Sequence, residues 1–204
     1  MKRRAHPIGI PEDLPILRSI AAELGHSEPV APAGPDTYKQ PMTQARWLAH
    51  ATAFKKSTDR SDRLRFAFLA QGIREGLLWA DDVMDRYCAA TCPDCQDPCC
   101  SADGIYYDRA DLLYLIGLDT DLPMSQIREQ AGAPCRYLSG AGCILPRMCR
   151  PFICTWFLCE PQMALLEQEP LPFQKQFTAI MQAVRRCRLQ LLALSPDAGG
   201  DNVA

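Results

Sequence analysis

The sequence predicts a mainly α-helical fold, in which packed long helices surround a loop-rich cysteine and metal-binding insertion with a short β-hairpin. Three observations predict it. Apolar residues recur in steps of three and four along two long segments, residues 62–88 and 173–191. The pattern collapses between them, where TCPDCQDPCCSADG is loop chemistry. Eight of the 11 cysteines fall in the 63 residues from Cys92 to Cys154.

Taken in order, residues 1–41 hold seven of the 17 prolines, and proline interrupts any ladder of backbone hydrogen bonds. This segment reads as an N-terminal arm, extended or partly disordered, or else a coil packed over the core. One short helix is expected at residues 16–24. Residues 42–194 form the expected single helical domain. A helix over 42–56 presents Ala45, Leu48, Ala51 and Phe54 on one face. A longer one, capped by Ser61 or Asp62, runs to about Cys88 with Leu69, Ile73, Leu77, Ala80, Met84 and Tyr87 as its stripe. Gly72 and Gly76 weaken such a helix by about 1 kcal/mol each, so close packing of a neighbour is the expected reason for them.

Beyond the collapse, residues 105–108 (IYYD) suit a short strand, and Asp108 suits the cap of a helix through ADLLYLIGL. A short helix is expected at 123–130, with proline at an early position where its missing donor is harmless. CRYLSGAGCIL reads as a hairpin about a Ser-Gly-Ala-Gly turn. The last helix carries Phe173, Phe177, Ile180, Val184, Cys187 and Leu191, which assigns Cys187 to the core, and residues 195–204 form a polar tail.

Composition excludes several functions. Formal net charge is -2, with no dominant sign, so neither nucleic acid nor an anionic membrane surface is an expected partner. No early apolar run resembles a signal peptide, and no stretch approaches the ~20 apolar residues of a membrane span. A cytoplasmic protein with reduced cysteines is expected. An odd count and the adjacent Cys99-Cys100 also disfavour a disulfide scaffold.

The cysteines form two groups: Cys92, Cys95, Cys99 and Cys100, then Cys135, Cys143, Cys149 and Cys154. Two residues between thiolates let a tight turn aim both sulfurs at one metal, at about 2.3 Å for zinc. Iron–sulfur clusters use similar spacings together with a distant cysteine. Cys92-Pro93, Pro98-Cys99 and Pro134-Cys135 stiffen these loops and reduce the entropy lost on metal binding. Several thiolates leave a net negative site, which Arg136, Arg147 and Arg150 could balance unless they are simply solvated. Phe152, Ile153, Trp156 and Phe157 suit the dry wall of the site.

The arrangement resembles the bacterial CxxCxxCC cysteine-cluster family, a zinc- or iron-chelating domain. The matching pieces are Cys92-Pro-Asp-Cys95, Cys99-Cys100, Cys135-Arg-Tyr-Leu138, Gly142-Cys143 and Arg150-Pro151-Phe-Ile-Cys154, in the family's order, over about residues 88–160. An extra residue between Cys95 and Cys99, and the additional Cys149, depart from the family pattern. The resemblance implies Cys92, Cys95, Cys99, Cys100, Cys135, Cys143 and Cys154 as cofactor ligands; Cys149, which the family motif does not require, is the next candidate metal ligand by its place in the second group. Cys88 is open between ligand and core, and Cys159 is close enough to join. The family also includes a flagellin lysine N-methylase linked to an iron–sulfur cluster, so group transfer to protein lysine is one implied activity.

No catalytic residue is identified. The histidines at 6, 26 and 50 lie upstream of the cluster and give no Cys–His pair. No Walker loop or dinucleotide fingerprint occurs. Asp81 and Asp82 face different directions around a helix, and Arg185, Arg186 and Arg188 are expected on a solvated face. The expected function is an iron–sulfur protein acting in electron transfer or protein modification with a protein or redox partner. The alternative is a non-enzymatic zinc protein, either a structural module or a metal carrier.

Overall fold

The computed structural model describes residues 9–25, 36–58, 63–96, 98–101, 104–139 and 142–195. It is mainly helical, with helices α1 (Pro15–Leu24), α2 (Gln44–Thr58), α3 (Arg63–Thr91), α4 (Arg109–Gly117), α5 (Ile153–Trp156), α6 (Glu160–Gln168) and α7 (Leu171–Leu194). A two-stranded antiparallel hairpin, β1 (Leu138–Ser139) and β2 (Gly142–Cys143), pairs Leu138 with Cys143.

The two long helices carry the core. All six expected stripe residues of α3 are buried, as are Phe177, Ile180, Val184, Cys187 and Leu191 of α7. Close packing accounts for the two α3 glycines. A Cβ on Gly72 would come 2.5 Å from Ile20 Cδ1, and one on Gly76 would come 2.5 Å from Val184 Cγ2. Gly72 thus lets α1 lie against α3, and Gly76 does the same for α7. α1 is no loose arm: Leu17, Ile20 and Ala21 are buried, and Glu75 of α3 accepts the Leu17 N–H at 2.9 Å. That bond satisfies one of the free donors of the first turn, for which α1 has no side-chain cap of its own. The flanking residues 1–8 and 26–35 lie outside the described residues, as do Ser61 and Asp62.

Several expectations are corrected. The buried face of α2 is Trp47, Ala51, Phe54 and Thr58, not one through Ala45 and Leu48. Trp47 decides it by donating Nε1–H to Pro123 O at 2.7 Å. Residues 105–108 form no strand, and 123–130 form no helix. The cause is shared. Gln126 accepts the N–H groups of Tyr107 and Ile127 through Oε1 (2.8 Å each), and donates to Tyr38 O (2.8 Å) and Tyr107 O (3.0 Å). One buried amide takes the place of a ladder and holds both segments as satisfied irregular chain. Asp108 does cap α4: it accepts Asp111 N–H, while Asp111 accepts the Asp108 N–H, a reciprocal capping box.

Candidate metal centre

The cysteine region is assembled from four segments. Cys88 lies in the last turn of α3, and Cys92 N–H still bonds Cys88 O at 2.9 Å. A tight turn follows, with Cys95 N–H on Cys92 O at 3.2 Å. Cys99 and Cys100 open a 3-10 turn, Cys99–Ser101. Next, Cys135 O accepts Leu138 N–H at 3.1 Å in the turn that starts the hairpin, and Cys143 ends β2. Then the Arg150-Pro151 segment turns into α5, with Cys154 N–H on Pro151 O at 2.9 Å. Cys159 caps α6. All 11 cysteines carry free thiols.

Two buried arginines hold these segments. Arg128, 1% exposed, donates to Ala133 O (2.7 Å), Ile105 O (2.9 Å) and Cys100 O (2.6 Å). One guanidinium therefore satisfies carbonyls from three parts of the loop region. Arg147 is an anchor of another kind: its Nε and Nη2 bind Asp81 and Asp85 of α3. It does not balance thiolates, and Arg136 pairs instead with Glu129 at 2.9 Å. Asp81 and Asp82 diverge as expected, Asp82 being exposed.

The sulfurs fall into neighbourhoods that cut across their order in the chain. The Cys154 thiol is pushed up to about 12, first by burial and then by Cys100, Cys143, Asp111 and Cys135. Cys135 is raised by burial and, among sulfurs, by Cys143 and Cys100. Cys100, Cys135, Cys143 and Cys154 thus share one electrostatic neighbourhood. Cys99 is strongly raised by its hydrogen bond to Cys100 and by burial, then by Cys100, Cys159 and Cys92. Cys92 is raised by burial, then by Cys88 and by Cys100, against a bond from Thr91. Cys100 moves the other way, down to about 6. Its bond from Cys99 is the largest cause, with Arg150 and Arg128 assisting against burial. The bond between the adjacent thiols raises one and lowers the other, so the two titrate as a pair.

Other expected site residues stand apart from this pattern. Cys95 is exposed. Cys149 is raised by burial, its carbonyl accepts Tyr107 O–H at 2.7 Å, and its thiol acts on Tyr107 and Tyr114. Trp156 and Phe157 are 39% and 42% exposed, so they form no dry wall, although Phe152 does contact Trp156 with ring centres 6.0 Å apart. Arg188 is buried among carboxylates rather than solvated. The sequence reading missed Arg128 and Gln162. Only the latter had a usable signal, lying three residues after Cys159 on the same helical face.

Among the described residues, no group of three or more His, Cys, Asp or Glu side chains is drawn in to metal-holding spacing. The donor set itself suits a thiophilic metal: four neighbouring thiols with two cations beside them. No described helix is long and apolar enough to cross a membrane. Compared with protein-family models, curated proteins and solved structures, the chain has no significant match.

Proposed function

We propose that this protein binds metal as an iron–sulfur cluster held through Cys100, Cys135, Cys143 and Cys154, and that it acts in electron transfer or protein modification. One observation carries the reading. Thiols from three separated segments influence one another, and Arg128 and Arg150 lie close enough to favour the Cys100 thiolate. Thiolates around a cluster leave net negative charge, and these two guanidiniums offset it. The order of the motif pieces supports the same reading through its resemblance to the CxxCxxCC family. When bound, such a cluster supplies one-electron transfer at a potential set by charge, hydrogen bonds to sulfur and solvent exposure.

The test is anaerobic purification followed by iron and acid-labile sulfide analysis. Iron with sulfide, and broad absorption near ~400 nm, is the expected result for this cofactor class. Zinc without sulfide would replace the reading with a structural zinc module or metal carrier. The exposure of Cys92 and Cys95 favours that second reading, because a closed tetrahedral zinc site needs no shielding from water.

A further inference from the structure

We propose that Cys88 and Cys92 are a redox-active dithiol, which small-molecule disulfides of the glutathione class oxidise to an intrachain disulfide. The proposal does not rest on the metal reading, because neither residue is among Cys100, Cys135, Cys143 and Cys154.

The geometry centres on Gln162, which is 3% exposed where α6 packs on α3. Its Nε2 points a donor at Cys88 Sγ, 3.6 Å away, and at Cys92 Sγ, 3.8 Å away. Cys92 is the first residue beyond α3, yet its N–H still bonds Cys88 O at 2.9 Å, so the two side chains lie one turn apart on one face. Thr91 Oγ1 lies 3.9 Å from Cys92 Sγ and is fixed there by its bond to Tyr87 O at 2.8 Å. Both thiols are free, Cys92 exposed and Cys88 half-buried. One sulfur is open to solvent and its neighbour is sheltered.

This placement suits exchange in two steps. The Cys92 thiolate attacks one sulfur of the small disulfide, whose S–S bond breaks, and a small thiol leaves with a proton. Cys88 then attacks the Cys92 sulfur, and the second small thiol leaves with the other proton. The protein gives up two electrons and two protons, and the reagent is reduced to two thiols. A neutral thiol is a weak hydrogen-bond acceptor, so the amide gains little from the resting pair. The Cys88 thiolate that performs the second step accepts a charge-assisted bond from it. A cysteine that only fills core space, as Cys187 does, has no use for such a donor.

Closure needs a small local movement. Residues four apart in a helix are separated by about 6 Å along its axis, within the ~4.4–6.8 Å between Cα atoms that a disulfide spans. Their Cβ atoms, at about 5–6 Å, must come to about 3.5–4.5 Å. Cys92 is placed to make that move. It is held to the helix by its own N–H bond to Cys88 O, and Pro93 disfavours helical conformation in the residue before it.

The full chain, purified anaerobically, is exposed to oxidised glutathione. Free thiols are then blocked with iodoacetamide, disulfides are reduced, and the released thiols are labelled with isotopically heavy iodoacetamide. Peptide fragmentation should find heavy label on Cys88 and Cys92 together. Cys88→Ser should retain glutathione on Cys92, where the parent protein releases it. Gln162→Leu keeps both thiols and should slow the release about 10-fold.

Light label on Cys88 in the oxidised parent would overturn the proposal, as would heavy label that pairs Cys92 with Cys95, Cys99 or Cys100. Release of glutathione from Cys92 in Cys88→Ser would do the same, by showing that another thiol closes the bond. An unchanged rate in Gln162→Leu would remove the role of the amide and overturn the proposal with it. Should Cys88→Ser fail to fold, the parent and Gln162→Leu decide between these outcomes.

Discussion

Arg188 Nη1 donates to Asp111 Oδ1 at 2.6 Å, and the same carboxylate oxygen accepts the backbone N–H of Phe152 at 3.0 Å. The Arg188 guanidinium also donates through Nη2 to both oxygens of Asp108, at 2.7 and 2.8 Å, and stacks 4.4 Å over the Phe152 ring. One side chain of α7 thereby ties the cap of α4 to the segment that delivers Cys154.

Replacing this arginine should therefore be costly. Arg188 is 6% exposed, and Arg188→Met would leave two carboxylates with no cation between them. Breaking a buried pair in this way destabilises by about 3–5 kcal/mol, more than removal of an exposed charge pair. Urea denaturation of the metal-free protein measures it. A loss below about 1 kcal/mol, the range of surface pairs, would show that the network is not the anchor described here.

The same network predicts a pH dependence with a definite sign. Burial, and then the charge of Asp108, push Asp111 up to about 7 against the pull of Arg188. Two carboxylates share one guanidinium, so a second negative charge is disfavoured. The folded protein then binds this proton more tightly than the unfolded chain. Its contribution is fully present below the ordinary aspartate value of about 4 and is lost as pH rises through about 7. Denaturation midpoints of metal-free wild type and Asp111→Asn, compared from pH 4 to 7.5, should differ by an amount that moves against wild type as pH rises. The opposite slope would mean that attraction to Arg188 outweighs burial.

What the sequence shows of this arrangement depends on the range of the interaction. The α3 stripe, most of the α7 stripe, the Asp108 cap and the hairpin are local patterns, and each is present, although Ser139 and Gly142 pair as strand residues rather than lying in the turn. The irregular course of residues 123–130 is not local. It follows from Gln126 and Arg128 bonding to chain distant in sequence, which no periodicity records. Arg188 is similar: its helical neighbours give no sign that Asp108 and Asp111 lie opposite. The cysteines illustrate both cases. Their clustering is visible in the chain, but which sulfurs of distant segments become neighbours, such as Cys100 with Cys135 and Cys154, is not.

Packing between α3 and α4 yields a further expectation. A Cβ on Gly117 would come 2.7 Å from Ala70 Cβ and 2.9 Å from the carbonyl oxygen of Phe66. The obstruction is partly backbone, so it cannot swing away. Overpacking of this kind costs about 1–3 kcal/mol, against which alanine recovers up to ~1 kcal/mol of helix propensity. Gly117→Ala should be net destabilising in chemical denaturation. Unchanged or increased stability would show that the two helices can separate freely.

Thiol reactivity tests the electrostatics of the cysteine region directly. In the reduced, metal-free protein Cys100 is drawn down to about 6, whereas burial and neighbouring sulfurs push Cys154 up to about 12. The thiolate is the nucleophile, so at pH 7.5 Cys100 should be alkylated much faster than Cys154, although both are half-buried. Its rate should level off above about pH 6–7, while that of Cys154 should still be rising at pH 9. The bond from Cys99 is the largest cause, so Cys99→Ala should move the Cys100 profile to higher pH. Arg150→Met should move it in the same direction by less, because its charge acts on Cys100 without a direct hydrogen bond. Peptide-resolved mass spectrometry of timed iodoacetamide labelling separates these sites. Equal labelling of Cys100 and Cys154 across the pH range would refute the opposite shifts of these two thiols.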